Sequence, residues 1–494
     1  MKLLKNTVLT LLSASFLCGA ADVVPGKNTK NSLRKGKKSE METSKICAVA
    51  DFGKIYGKFN RKLHSSNTAP NLADRGILDL TEDYKKMNFT YTRTHDWPLW
   101  NAGQRVVDTH FIFPLMHLDP ADPANYYFDA TDEMIQAAQN AGSKVFYRLG
   151  TSIEHSGRLS RPEHRHFNSL PPADYAKYAE VLAGIIRHYT RGWANGFKYD
   201  MQYWEIWNEA ENNPTCWKGS YEEFIKFFVV VLKRLKAEFP ELKIGGPAAT
   251  RLRDDLLRPL LRACREAGVA PDFISWHGYR SVPDEFAAEP AKAKAMLKEE
   301  GFPDCEIAIT EWHYLISWKG IQGNMTPENR KNAVEGPAGI VGIDSAAFNL
   351  AALCAFQDTP LDLAFYYGAS PKGNWGFYGT YGEYNKNYHS MVMYGQFLKV
   401  CTKRIYTEKH LGSVYLLGGL SADGDGRLLI SDYRGCSEQL CVKILGMDKA
   451  EVSAERLDHT SGPALVQVRY QDGILTLPKN GKGSAAFLIS FKSR

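Results

Sequence analysis

The chain has 494 residues, 44% of them hydrophobic and 23% charged, which suits a large α/β domain with a smaller partner and excludes a disordered or fibrous chain. Its formal net charge of +6 does not point to nucleic acid, because the excess is confined to the N-terminal leader. Residues 1–21 carry Lys2 and Lys5, residues 22–45 set seven Lys or Arg against Asp22, Glu40 and Glu42, and the remainder is neutral.

In chain order, the basic start Met1-Lys2-Leu3-Leu4-Lys5 precedes an apolar run from Val8 to Leu17 and the small residues Gly19, Ala20 and Ala21. This pattern predicts a signal peptide over 1–21, cleaved near Ala20 or Ala21, and a secreted or periplasmic protein. The run is too short for a membrane span. Cys18 offers a lipoprotein site, but Leu17 before it fits that processing poorly, so lipid anchoring is the lesser expectation. Residues 22–45 read as a basic disordered linker. Of the nine cysteines, Cys436 and Cys441 form the closest pair, and Cys264, Cys354 and Cys401 sit among apolar neighbours as small core residues. No Cys-x-x-Cys pair exists, so no zinc site is expected.

From Ile46 the chain alternates short apolar runs with long amphipathic segments. Ile46–Phe52 reads as a strand. The runs that follow lie near Lys58–His64, Tyr91–Asp96, Lys144–Leu149, Gln202–Glu209, Leu242–Pro247, Phe273–Tyr279, Glu306–Glu311 and Leu361–Gly368. Between them, helices are predicted after Thr131, after Asp174, after the capping box Ser220-Tyr221-Glu222-Glu223, and from Asp254 to Ala267. Strand–helix alternation repeated eight times predicts a (β/α)8 TIM barrel over 46–404. Beyond about Ile405, short strands separated by Gly- and Asp-rich turns predict a C-terminal antiparallel β-sandwich over 405–494, with 46–52 available to complete it.

Two of the barrel strands end in a glutamate: Tyr203-Trp204-Glu205-Ile206-Trp207-Asn208-Glu209 and Cys305-Glu306-Ile307-Ala308-Ile309-Thr310-Glu311. Barrel active sites lie at the C-terminal strand ends. Two carboxylates there are the equipment of glycoside hydrolysis. The other strand ends offer Arg93, His95 and Asp96, Arg148, His277, Tyr279 and Arg280, and Trp312 and His313. Metal hydrolysis is the rival chemistry. His164-Arg165-His166 has a ligand-like spacing but no strand before it, and His95, His277 and His313 lack paired spacing, so no metal is expected.

With these residues in place, the chain resembles clan A glycoside hydrolases, and among them most resembles family 39, the β-xylosidase and α-L-iduronidase family. The likeness rests on "WEIWNEAE" on strand four, "IAITEWHY" on strand seven, "RTHD" on strand two and "ISWHGY" on strand six, across roughly 46–490. Ala210 stands where the usual motif has Pro, and Trp312-His313 follows Glu311 where small polar residues are usual. The resemblance implies retaining double displacement, with Glu311 as nucleophile and Glu209 as acid/base. It implies Asn208 at the sugar 2-hydroxyl, Arg93 and Tyr279 holding Glu311 ionised, and His95 and His277 in the same pocket. Trp312, Trp375 and Trp97 are candidates for stacking on sugar faces. A β-xylosidase-like hydrolase acting on oligo- or polysaccharides follows, needing no cofactor and no nucleic-acid partner. An arabinosidase or uronidase, and a catalytically inactive carbohydrate-binding relative, are the alternatives; the presence of both carboxylates weighs against the last. Oligomeric state is left open.

Overall fold

The computed structural model describes residues 45–493 apart from 69, 71–78, 96–97, 100–103, 152, 154–167, 319–320, 322–325, 371–373, 380–381 and 461. The expected signal peptide with Cys18, and the linker up to residue 44, lie outside the described residues. So do Asp96, Trp97 and the His164-Arg165-His166 segment.

Eight parallel strands close into a barrel: Ser65–Asn67, Tyr91–Arg93, Lys144–Leu149, Tyr203–Ile206, Lys243–Ala249, Phe273–Arg280, Glu306–Tyr314 and Leu363–Tyr366. Alternate residues on these strands face inward, and at the lower level they are apolar. Tyr91, Phe146, Tyr203, Phe273, Ala308, Leu363 and Phe365 form that plug. Above it the inward residues turn polar, which is where the site begins.

Local signals set the outer helices. Asp174 caps helix Tyr175–Arg191 by accepting the Lys177 amide at 3.0 Å. Ser220 and Glu223 make a reciprocal capping box at the start of Tyr221–Glu238. Phe224, Phe227, Phe228, Val231 and Leu235 follow at helical spacing and bury against the barrel's outer face.

The first barrel strand is not Lys58–His64. Arg61–Leu63 is a 3₁₀ turn capped by Asn60, and the strand is Ser65–Asn67. Ser-Ser-Asn carries no apolar signature, because Asn67 points into the polar upper layer. Its amide donates to the Thr310 carbonyl at 2.9 Å, and its Oδ1 accepts from Arg93.

The C-terminal part is a ten-stranded sheet around a core of its own, built on Ile405, Val414, Leu428, Val442, Leu475 and Phe487. Strand Ile46–Gly57 lies inside this sheet, antiparallel to Lys403–Lys409 and parallel to Gln439–Leu445. The sheet is therefore mixed at one pairing rather than wholly antiparallel. Strands Glu451–Leu457 and Arg469–Gln471, polar at alternate positions, complete it. Among the described residues, no helix is long and apolar enough to cross a membrane.

Candidate active site

Glu209 and Glu311 meet at the C-terminal mouth of the barrel. Both line a cavity of about 540 Å³, together with His95, Asn208, Tyr279, Arg280, Trp318, Tyr367 and Trp375. A carboxylate oxygen of each glutamate and a ring nitrogen of His277 all lie within 4.8 Å of one another.

Backbone irregularities aim both side chains. The seventh strand shifts register against the sixth between Ile309 and Glu311, so that Glu311 pairs with His277 and Trp312 with Gly278. Such a bulge reverses the alternation of a strand. It turns Glu311 into the barrel and Trp312 outward. At the end of the fourth strand, Trp207 (φ 73°) and Glu209 (φ 45°) adopt left-handed conformations, and the Glu209 amide donates to the Ala248 carbonyl at 2.9 Å. Non-glycine residues rarely take that conformation, and active sites are where it is tolerated. Gly150 (φ 96°) makes room for the bend, since a Cβ there would lie 2.4 Å from the Trp207 ring.

Arg93, fully buried, organises the floor. Its Nε donates to Glu205 at 2.6 Å, and its Nη1 donates to Asn67 and to Glu311 Oε1, each at 3.0 Å. Nη2 donates to Asn208 Oδ1 at 2.9 Å. A guanidinium only donates, so this bond fixes the Asn208 oxygen inward and its amide group away from Arg93. Glu205, itself fully buried, pairs with the same guanidinium beside Glu311. The sequence reading missed it, although a carboxylate in the middle of a buried strand already demands a partner.

Tyr279 donates its hydroxyl to Glu311 Oε2 at 2.7 Å, and His95 Nε2 lies 3.3 Å from Oε1. Burial pushes the Glu311 carboxyl above its ordinary pKa, against the pull of His277 and Arg93, and Glu209 adds to the rise. Burial likewise holds the Tyr279 phenol far above its usual value, so it stays a donor. His277 Nδ1 is 2.7 Å from Glu209 Oε1 and 3.4 Å from Glu311 Oε2, and burial lowers the proton affinity of this ring. The side chain of Glu311 is 5% exposed and that of Glu209 is 19% exposed, so Glu209 stands nearer the mouth.

Glu209, His277 and Glu311 could each offer one atom to a cation. The Arg93 guanidinium, 3.0 Å from Glu311, already supplies the positive charge there and opposes a second cation.

Of the residues singled out in the sequence, Glu209, Glu311, Asn208, His277, Tyr279, Arg93, His95 and Trp375 gather here. Trp312 does not. Its ring is buried on the outer side of the seventh strand against Phe286, Phe356 and Tyr366, where it cannot reach a sugar. His313 is also sequestered, its Nε2 bonded to the Tyr366 hydroxyl at 2.7 Å, and burial lowers its pKa to about 4. Arg148 is buried and ion-paired with Asp108, away from the cavity lining. Arg280 lines the cavity but pairs with Glu289. The aromatic wall has two members the sequence did not flag. Trp318 packs 5.1 Å from Tyr279 and 5.8 Å from Trp375, and Tyr367 packs 5.8 Å from Trp375.

Known proteins share this chain's fold and part of its sequence. Residues 65–305 match the model for glycosyl hydrolases family 39, a span that includes Glu209 and stops just short of Glu311. The chain is 26% identical over 254 residues to a β-xylosidase of Geobacillus stearothermophilus, covering 46% of this chain and 47% of that protein. It spans about half the length of the curated relatives it matches. In fold it is similar to a glucosidase of Croceicoccus marinus, with a TM-score of 0.72 and 21% identity over 91% of this chain and 99% of that one. It is also similar to a family 39 β-xylosidase of Caulobacter crescentus, with a TM-score of 0.63 and 14% identity over 90% and 99%. Residues 65–305, which carry the first six barrel strands, are thus similar to glycosyl hydrolases family 39.

Proposed function

We propose that the chain is an exported retaining glycosidase that hydrolyses β-xyloside-like substrates. The observation that carries this reading is the approach of two carboxylates within 4.8 Å at the barrel mouth. Oxygens this close fit the ~5–5.5 Å carboxyl separation of retaining enzymes better than the ~6.5–9.5 Å of inverting ones.

In the first step Glu311 attacks the anomeric carbon while Glu209 gives its proton to the departing oxygen. The C1–O bond to the leaving group breaks and a C1–O bond to Glu311 forms. In the second step Glu209 takes a proton from water, whose oxygen displaces Glu311 from C1. Arg93 and Tyr279 hold both Glu311 oxygens in place and favour the carboxylate as it departs. Asn208, oriented by Arg93, presents its amide to the sugar 2-hydroxyl. Trp375, Trp318 and Tyr367 offer apolar faces to the ring.

Relatives described as β-xylosidases and as a glucosidase frame the choice of sugar. A panel of aryl β-xyloside, β-glucoside, β-galactoside, α-arabinoside and α-iduronide tests it. Preferential turnover of the xyloside supports the reading. Turnover of only the iduronide would replace it, and no turnover of any would remove it. Export follows from the leader sequence and is tested by N-terminal sequencing of the mature protein, expected to begin near Ala21 or Asp22.

A further inference from the structure

Trp375 stands in the cavity wall on a loop, and the bonds that fix this loop end outside the cavity on Asp83 of helix Thr81–Met87. Trp375 is followed by Gly376, the buried Phe377 and Tyr378. The Phe377 ring stacks 5.6 Å from Tyr366, and Asn385 Nδ2 donates to the Gly376 carbonyl at 2.7 Å. Tyr378 and Tyr384 pair across the turn as an antiparallel bridge. Both then donate their hydroxyls to one carboxylate, Tyr378 to Asp83 Oδ2 at 2.6 Å and Tyr384 to Oδ1 at 2.8 Å. Tyr388, stacked 4.0 Å from Tyr384, adds a longer bond to Oδ1 at 3.4 Å. On the other side of Trp375, Asn374 Nδ2 donates to the Ile321 carbonyl at 3.3 Å, which ties this loop to the one carrying Trp318.

We propose that Asp83 is a positioning residue for substrate binding: by gripping Tyr378 and Tyr384 it holds the Trp375 face, and through Asn374 the Trp318 face, against the sugar. The proposal rests on the reading of these rings as the sugar-facing wall of a glycosidase. Burial pushes the Asp83 carboxyl up, but the Tyr378 and Tyr384 hydroxyls and the Lys86 ammonium bring it below its ordinary value, so the group is a carboxylate. Burial pushes both phenols above theirs, so each remains a donor. Bonds from a hydroxyl to an ion are roughly twice as strong as those between neutral groups, which suits a grip on a turn three residues from Trp375. Glu209, Glu311 and Arg93 stand on or at the ends of barrel strands and do not depend on it. The wall touches the ring in the ground state and the transition state alike. Its loss should therefore raise KM and leave kcat nearly unchanged.

Two variants loosen the grip from opposite ends. Asp83→Asn keeps the shape of the side chain and removes its charge, while Tyr378→Phe removes one bond from the loop and leaves the helix intact. On the aryl glycoside that the wild type turns over best, each should raise KM about 2–10-fold, the range of one aromatic contact. Trp375→Ala should raise KM at least as much, and adding Asp83→Asn to it should raise KM no further, because both changes remove the same contact. An Asp83 that served stability alone would lower the melting temperature and leave KM where it was, and that outcome overturns the proposal. So does a rise in the double variant that multiplies the two single ones, or a Trp375→Ala variant with the wild-type KM. Failure of the wild type on every glycoside would instead overturn the glycosidase reading, and this proposal with it.

Discussion

At the scale of single residues, the two glutamates differ in depth and in company, and this supports the separate roles proposed for them. Glu311 is held on both oxygens and lies deeper, whereas Glu209 stands towards solvent, the side from which the proposed mechanism brings a leaving group and then a water. Glu311→Ala should leave almost no activity on any substrate. Glu209→Ala should slow a poor leaving group by about 10²–10⁴-fold, yet let a dinitrophenyl glycoside form the glycosyl-enzyme, which then stalls for want of a base. Azide should restore turnover in both variants, with retained configuration from Glu209→Ala and the opposite anomer from Glu311→Ala. Swapped anomers would exchange the two roles. A pH effect follows from the same burial. The folded Glu311 carboxyl titrates above its ordinary value, so kcat/KM should fall on acidification at a pH above the usual glutamate range. A raised carboxyl pKa means the fold favours the protonated form, and its stabilising contribution is lost as pH rises through the raised value. Glu311→Gln should therefore melt higher than wild type at neutral pH, with the difference vanishing below the ordinary carboxylate range. An unchanged melting temperature at pH 7 would count against the burial argument.

At the scale of elements, the site depends on how strands end. Gly150→Ala tests this, because a methyl group would meet the Trp207 ring at 2.4 Å on a backbone at φ 96°. The Trp207 indole is fixed by its bond to the Cys216 carbonyl at 2.9 Å, so the fourth-strand bend carrying Asn208 and Glu209 must yield. Overpacking of this kind should cost roughly 1–3 kcal/mol and depress kcat beyond what the melting shift explains. Ser220→Ala, at a helix start remote from the cavity, should cost about 1 kcal/mol of stability and leave kcat/KM unchanged. These elements also mark what could be read from the sequence. Long runs with caps, such as Tyr175–Arg191 and Tyr221–Glu238, fall where periodicity and capping residues put them. Ser65–Asn67 was illegible, because a strand whose inward residue serves a polar layer looks like a loop. Trp312 was misplaced for a different reason. Reaching the cavity or the helices depends on the parity of the strand, and a single bulge between Ile309 and Glu311 sets that parity without a signature of its own. That the two carboxylates meet at the barrel mouth was legible, because packing gives no reason for a glutamate at the end of a buried strand. Trp318 comes to the aromatic wall through a loop, which local patterns do not place, whereas Tyr367 directly follows strand Leu363–Tyr366 within a run the sequence marks but without a cue to its role.

At the scale of the whole molecule, the C-terminal sheet keeps one core of its own and shares a second with the barrel. Helix Ile343–Phe356 is buried on nearly every side, and its Phe348 and Leu350 belong to the same apolar cluster as Leu417, Leu429, Tyr433 and Leu488 of the sheet. Polar contacts pin the same junction. Ser431 donates to the Ala347 carbonyl at 2.7 Å, Tyr433 donates to the Ser281 carbonyl at 2.7 Å, and Arg434 pairs with Asp344 at 2.9 Å while reaching the Tyr314 hydroxyl. Strand Ile46–Gly57 adds a topological tie, since it precedes the barrel in sequence yet pairs with strands that follow it. A barrel cut free at residue 404 would expose the apolar side of Ile343–Phe356 and leave that first strand without partners. Two parts joined in this way should unfold as one. Calorimetry of the intact chain should give a single transition with equal calorimetric and van't Hoff enthalpies, and a chain ending at residue 404 should yield no soluble folded barrel. Two separable transitions, or an active truncated barrel, would show that the sheet is an independent appendage.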